Sequence, residues 1–181
     1  MLLGLMQDAP LQISSILTHA ARAHGEREIV SKLVGEPLWR YDWAGCERRS
    51  RQAAQMLGRL GIGSGDRVSS LAWNTHRHLE LFYAVPGIGA VLHTANPRLS
   101  DEQIAFTINH AGSRALFFEA NLAELVGRVR PVLAAIGHFI RRTKAVEEGE
   151  EKAVDLVGVE LGGQDWPAAA RARLDWALQH A

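Results

Sequence analysis

Residues 67–99, RVSSLAWNTHRHLELFYAVPGIGAVLHTANPRL, constrain the fold more than any other stretch of the chain. Arg67 opens a short apolar-leaning run that reads as a strand as far as Trp73 and stops at Asn74-Thr75, a turn-forming pair. Apolar residues then recur at Leu79, Phe82, Tyr83 and Pro86, the i, i+3, i+4, i+7 spacing that predicts a helix over 76–89 with that face buried. A second strand is predicted over 91–94, closed by Asn96-Pro97. Two strands joined by a helix pair in parallel, because a hairpin has no room for the helix. Such a unit covers both faces of its sheet, which accounts for the low charge of this stretch.

The rest of the chain continues the pattern. Leu11, Ile13, Ile16, Leu17, Ala20 and Ala21 predict an amphipathic helix over 11–24, with Gly25 ending it as a left-handed cap. Strands are expected over 28–34 and 38–41, a loose hairpin near a sheet edge because Pro37 cannot donate to a ladder. Asp42 is placed to cap a helix reaching about Leu60, with Trp43, Cys46, Ala53, Ala54 and Leu57 toward the core and Arg48, Arg49 and Arg51 on a solvated face. Ser100 and Gln103 have capping-box spacing for a helix to His110. A third strand is expected over 114–118, a helix over 120–135 interrupted by Pro131, and the start of a fourth strand at 138–140. Alternating strands and helices imply an α/β fold: a partial Rossmann-like layered parallel sheet with flanking helices, preceded by a small helix and a β-hairpin.

The predicted division is 1–140 for this α/β part and 141–181 for a divergent charged tail. The run RRTKAVEEGEEK has little to bury, and Asp165 and Pro167 signal a terminal helix. No internal repeat is visible.

Composition narrows the function classes. Lys+Arg and Asp+Glu are equal at 20 each, so no global field draws in nucleic acid or an anionic membrane. One cysteine, Cys46, cannot form an internal disulfide, which suits a cytoplasmic location. MLLGLM lacks a basic start and is cut by Gln7-Asp8, so it does not read as a secretion signal. The longest uncharged apolar run, 81–92, is shorter than the roughly 20 residues of a membrane span.

Several residues could carry chemistry, and each also has a plainer structural role. Gly61-Ile62-Gly63-Ser64-Gly65-Asp66 follows a helix and precedes a strand, the reverse of a phosphate-cradling order, so it reads as a cap and turn. It also lacks the glycine two before Ser64 that a nucleophile elbow requires. His76 and His78 at i, i+2 point to different sides of a helix and make a poor metal pair, and His110 has no ligand partner at useful spacing. His93, Trp73 and Asn74 are expected at the C-terminal ends of parallel strands, where such sheets bind ligands. The three lysines, Lys32, Lys144 and Lys152, all fall outside glycine-rich turns, so no phosphate-loop lysine is present.

The segment from Trp39 to Phe118 resembles the N-terminal part of the acyl-CoA synthetases, in the AMP-forming adenylate ligase superfamily. The likeness leans toward medium- and long-chain fatty acid–CoA ligases, most of all in LAWNTHRHLELFYAV. Trp39 to Cys46 matches the family's first core motif, an aromatic pair leading into a helix, with Gly45 and Cys46 where an acidic residue and a leucine are usual. Pro86 to Leu99 matches the second. The resemblance is read over about residues 8–140.

What the resemblance implies is ATP-driven joining of a fatty acid to coenzyme A through an acyl-adenylate. The family's phosphate loop with lysine, aromatic-Thr-Glu magnesium motif, ribose aspartate and hinged catalytic lysine lie downstream of these motifs. The expectation is therefore an incomplete, truncated ligase, inactive alone. No catalytic, cofactor-binding or metal residue is assigned, and ATP, magnesium, fatty acid and coenzyme A belong to the complete enzyme. Self-association through exposed sheet edges is expected. The alternative is a non-catalytic binding or assembly module that keeps the α/β fold.

Overall fold

A computed structural model describes residues 10–32, 35 and 37–142. The elements run α1 (Ile13–His24), β1 (Glu28–Ser31), β2 (Trp39–Asp42), α2 (Trp43–Arg59), β3 (Arg67–Leu71), α3 (His76–Gly87), β4 (Val91–Ala95), α4 (Asp101–Ala111), β5 (Ala115–Glu119), α5 (Ala123–Val129) and β6 (His138–Arg142). The tail expected to diverge after residue 140, with its Asp165–Pro167 start signal, lies outside the described residues from 143 onward.

Four strands form one parallel sheet in the order β4-β3-β5-β6. Alternate residues serve opposite faces. Leu71, Ala95, Leu116 and Phe118 pack with Ile104 and Ile108 of α4 and Val126 and Val129 of α5. Val68, Ala115, Phe117 and Ile140 pack with Leu57 of α2 and Leu81 and Val85 of α3. All five residues of β5 are buried, as a central strand covered on both faces requires.

Local chemistry sets the boundaries. The Asp42 carboxylate accepts from the Gly45 N–H at 2.6 Å and starts α2. Ser100 and Gln103 complete a reciprocal capping box at α4. The helix before Pro131 ends at Val129, earlier than the expected 135, and short 3-10 turns flank it. The loop over 61–66 is the expected cap and turn. Ile62 N–H donates to the Leu57 carbonyl, and Gly65 N–H donates to the Gly89 carbonyl at 2.9 Å. Gly89 has φ 76° and a Cβ there would lie 2.8 Å from Ser64 Oγ, so glycine serves both the turn and the approach of the two loops.

Several expectations are corrected. Gly25 ends α1 in a right-handed conformation (φ −53°); its missing Cβ matters because one would sit 2.5 Å from the Ala21 carbonyl oxygen. In α1 only Leu17 is buried; Ile13 and Ile16 are exposed, as is Leu11, which precedes the helix. The hairpin forms its own two-stranded antiparallel sheet, not an edge of the main one; residues 33 and 34, the end of the expected first strand, and 36 in its turn lie outside the described residues. The α3 helix buries a face offset from the expected one. Arg77, His78, Glu80, Leu81, Ala84 and Val85 are buried, whereas Phe82 is 45% exposed. Arg49 also leaves its expected solvated face to pair with Glu80. Charged residues entered the interior because each found a partner there.

Candidate functional site at the switch point of the sheet

From β3 the chain crosses to β4 on one side, then returns past β3 to β5 on the other. The strand order therefore reverses between β3 and β5. In open parallel sheets the crevice outside the C-terminal ends of two such strands is where ligands bind. Here that position holds Thr75, just after β3, Arg77 in the first turn of α3, and Glu119, the last residue of β5.

All three side chains are buried. The Thr75 hydroxyl donates to Glu119 Oε1 at 3.0 Å, and Arg77 Nη1 lies 3.6 Å from Glu119 Oε2. The chain thus fills its switch point with its own ion pair. Thr75 ties the β3–α3 turn to β5, so that turn is fixed by a residue 44 positions away in sequence. Glu119 was not anticipated. The available signal was a carboxylate closing an otherwise apolar strand, ALFFE.

Beside this plug, toward the hairpin, a cleft of about 330 Å³ lies between β1 and the start of α3. Ile29, Val30, Leu79 and Phe82 form its apolar lining; Ser31, Asn74, Thr75, His76 and His78 contribute polar atoms. Ser31 Oγ accepts from the His76 backbone N–H at 3.0 Å, which docks the hairpin on α3.

The histidines singled out by sequence have separate surroundings. The His76 ring stacks on Trp39 at 4.8 Å and lies 3.2 Å from Ser31 Oγ. His78 Nε2 is 3.0 Å from Ser70 Oγ, with Phe82 beside the ring. His110 stacks on Phe106 on the surface of α4. His93 is the middle residue of β4, not its end as expected, and burial holds its pKa below the ordinary imidazole value. Its Nδ1 is 2.8 Å from Ser69 Oγ, which is 2.7 Å from Ser113 Oγ. Ser69 and Ser113 are fully buried, so this relay joins strands and offers no accessible nucleophile. Trp73 is half-buried and Asn74 exposed; both lie beyond β3, which ends at Leu71 and not at the expected Trp73.

Other reactive groups are muted. Burial pushes the Cys46 thiol and the Tyr41 phenol up, so both stay neutral. Lys32 is exposed after β1; Lys144 and Lys152 lie outside the described residues. Among the described residues no group of three His, Cys, Asp or Glu is placed to hold a metal ion. The glycine loop is equally unsuited to phosphate: Asp66 Oδ2 takes the Gly63 N–H at 2.8 Å, where a cradle would leave that donor for the anion.

An open parallel sheet with a strand-order reversal and helices on both faces defines the class: a doubly wound α/β layer. The family is settled by sequence. The model for AMP-binding enzymes matches residues 17–171, and the chain belongs to that family. The match continues beyond residue 140 into the segment expected to diverge. The chain is 45% identical over 174 residues to the 3-methylmercaptopropionyl-CoA ligase of Ruegeria lacuscaerulensis, covering 92% of this chain and 32% of that protein. It is 41% identical to the long-chain-fatty-acid–CoA ligase of Thermus thermophilus, covering 86% of this chain and 29% of that one. The chain therefore spans about a third of the length of these curated relatives. In fold it is similar to the N-terminal domain of FACL13 from Mycobacterium tuberculosis, with TM-score 0.65 and 24% identity over 85% of this chain and 39% of that one. Among the described residues no helix is long and apolar enough to cross a membrane.

Proposed function

We propose that this chain supplies the N-terminal α/β layer of a fatty acid–CoA ligase and does not catalyse the reaction by itself. The observation that carries the reading is 41–45% identity to two acyl-CoA ligases over most of the chain. In the reaction a carboxylate attacks ATP, pyrophosphate leaves, and the thiol of coenzyme A displaces AMP from the acyl-adenylate. The residues described here hold the scaffold: the Thr75–Glu119 bond fixes the β3–α3 turn, and Arg49–Glu80 joins α2 to α3. Transition-state stabilisation falls to groups outside them, and losing such groups together costs many orders of magnitude.

The test is a graft. Residues 17–142 replace the matching part of the Thermus thermophilus long-chain ligase, and acid-dependent pyrophosphate release is followed for the graft and for the isolated chain. The graft is expected to turn over fatty acids, and the isolated chain to stay at the heat-killed background. Activity of the isolated chain overturns the claim of inactivity. A folded but inactive graft overturns the ligase reading, and if the chain instead binds an intact ligase, it is an assembly module.

A further inference from the structure

The backbone of β4 has a definite inside and outside. Val91 N–H donates to the Asp66 carbonyl at 2.8 Å, while Arg67, the β3 residue opposite Val91, sends its carbonyl the other way to the Arg114 N–H. Backbone groups alternate sides along a strand, so Val91, His93 and Ala95 bond β3, and Leu92 and Thr94 each turn an N–H and a C=O outward. Among the described residues no strand takes these groups. The strand Val91–Ala95 also holds none of the lysine, proline or bulge devices that block an exposed edge.

A second β4 running antiparallel satisfies all of them in one register. A two-fold axis at His93 sets Leu92 opposite Thr94 of the second copy, and the two such pairs exchange four hydrogen bonds. Centring on Leu92 would call on the Ala90 N–H, which already donates to the Val85 carbonyl. Centring on Thr94 would call on the Asn96 carbonyl, which already accepts from the Leu99 N–H. The side chains suit the same register. Val91 and His93 share the face of Ala95, which packs on α4, and Val91, 54% exposed, gains Ala95 of the second copy as a neighbour. Zero formal net charge sets no repulsion against a second copy.

We propose that this chain forms a two-fold dimer in which β4 pairs antiparallel with β4 of a second copy, centred on His93, to make one continuous eight-stranded sheet. The two His93 side chains then meet as a directly opposed pair, about 5 Å apart at Cβ. Within each copy His93 Nδ1 is 2.8 Å from Ser69 Oγ, itself bonded to Ser113, and burial alone lowers the His93 pKa, with no contribution from a charged neighbour. Neutral imidazoles tolerate the meeting, and two imidazolium ions repel. The dimer is therefore favoured above the ordinary imidazole range and weakened as pH falls through it. The proposal goes beyond the ligase reading and does not depend on it, since it is read from mass and cross-linking without turnover.

The experiment follows the full chain by sedimentation over a concentration series at pH 8 and pH 5.5, with circular dichroism confirming the fold. A monomer–dimer equilibrium is expected at pH 8, about tenfold weaker or more at pH 5.5. His93→Gln, neutral at both pH values, is expected to dimerise without that pH dependence. Thr94→Pro removes one outward donor per copy and none from the β3 ladder, and is expected to weaken the dimer about tenfold or more. Register is read by mild oxidation of single-cysteine replacements. His93→Cys is expected to cross-link to itself, whereas Val91→Cys, about 14 Å from its copy in this register, is not. The proposal is overturned by a monomer at every concentration, by an unchanged dimer in folded Thr94→Pro, by cross-linking through Val91→Cys in place of His93→Cys, or by equal pH dependence in His93→Gln.

Discussion

Arg49 on α2 grips Glu80 on α3 with two contacts, Nε to Oε1 at 2.7 Å and Nη2 to Oε2 at 3.4 Å. The guanidinium also lies 5.5 Å from the centre of the Trp39 ring, so one side chain joins α2, α3 and the hairpin. Glu80 is almost wholly buried, so Arg49 stands where water would otherwise solvate its carboxylate.

Arg49→Leu is therefore expected to destabilise the chain by about 3 kcal/mol, the usual scale for removing one partner of a buried ion pair. Arg49→Leu with Glu80→Leu is expected to recover part of that loss, since the buried carboxylate is removed together with its cation. Urea unfolding followed by tryptophan fluorescence measures both. A double variant no better than the single one would show that Glu80 does not need Arg49.

Gly89→Ala tests the junction of the two glycine turns. At φ 76° an alanine pays about 1–2 kcal/mol for the left-handed conformation, and its Cβ also presses on Ser64. Adding Ser64→Gly relieves the contact but not the backbone cost. The double variant is expected to regain less than half of the loss in the same unfolding assay.

These two sites also show what the sequence could and could not reveal. Order and type of the elements were legible, because apolar spacing, the Ser100–Gln103 box and the Asp42 cap are local signals. The buried face of α3 was not. Apolar spacing pointed to Phe82, but Arg77 and Glu80 are drawn inward by Glu119 and Arg49, 42 and 31 positions away. The switch point was half legible: Trp73 and Asn74 were placed at a strand end, but Glu119 needed the strand order, which no local pattern encodes. His93 shifted from strand end to strand centre because β4 runs one residue further than expected, to Ala95.

Acid sensitivity follows from two histidines. Burial holds His93 below its ordinary value of 6.5; burial also dominates at His138, where the Arg114 charge assists and a hydrogen bond with the Leu60 backbone opposes. In each case the unfolded chain takes up a proton at a higher pH than the folded one. Their stability is thus complete above the ordinary imidazole value and lost as pH falls through the window between that value and the lowered folded one. The urea midpoint is expected to drop between about pH 7.5 and about pH 5, and His138→Gln to flatten that drop. An equally steep profile in His138→Gln would assign the loss to other groups.

The outer edge of β4 should govern association of the isolated chain. Among the described residues β4 pairs with β3 alone, so its other side presents backbone donors and acceptors that another strand could take. Val91 is 54% exposed on this strand, and Phe106 on the adjoining α4 is 67% exposed. Zero formal net charge gives little repulsion between copies. On the ligase reading, the remaining two-thirds of the protein would cover much of this surface. The isolated chain is therefore expected to show mass rising with concentration in sedimentation and light scattering. Val91→Lys puts a charge on the edge without removing a core residue, and is expected to shift the chain toward monomer at unchanged thermal stability. Phe106→Ser should do so less if strand pairing is the main route, and more if an apolar patch is. A monomer at every concentration before any substitution would show that the β4 edge is already covered within the chain.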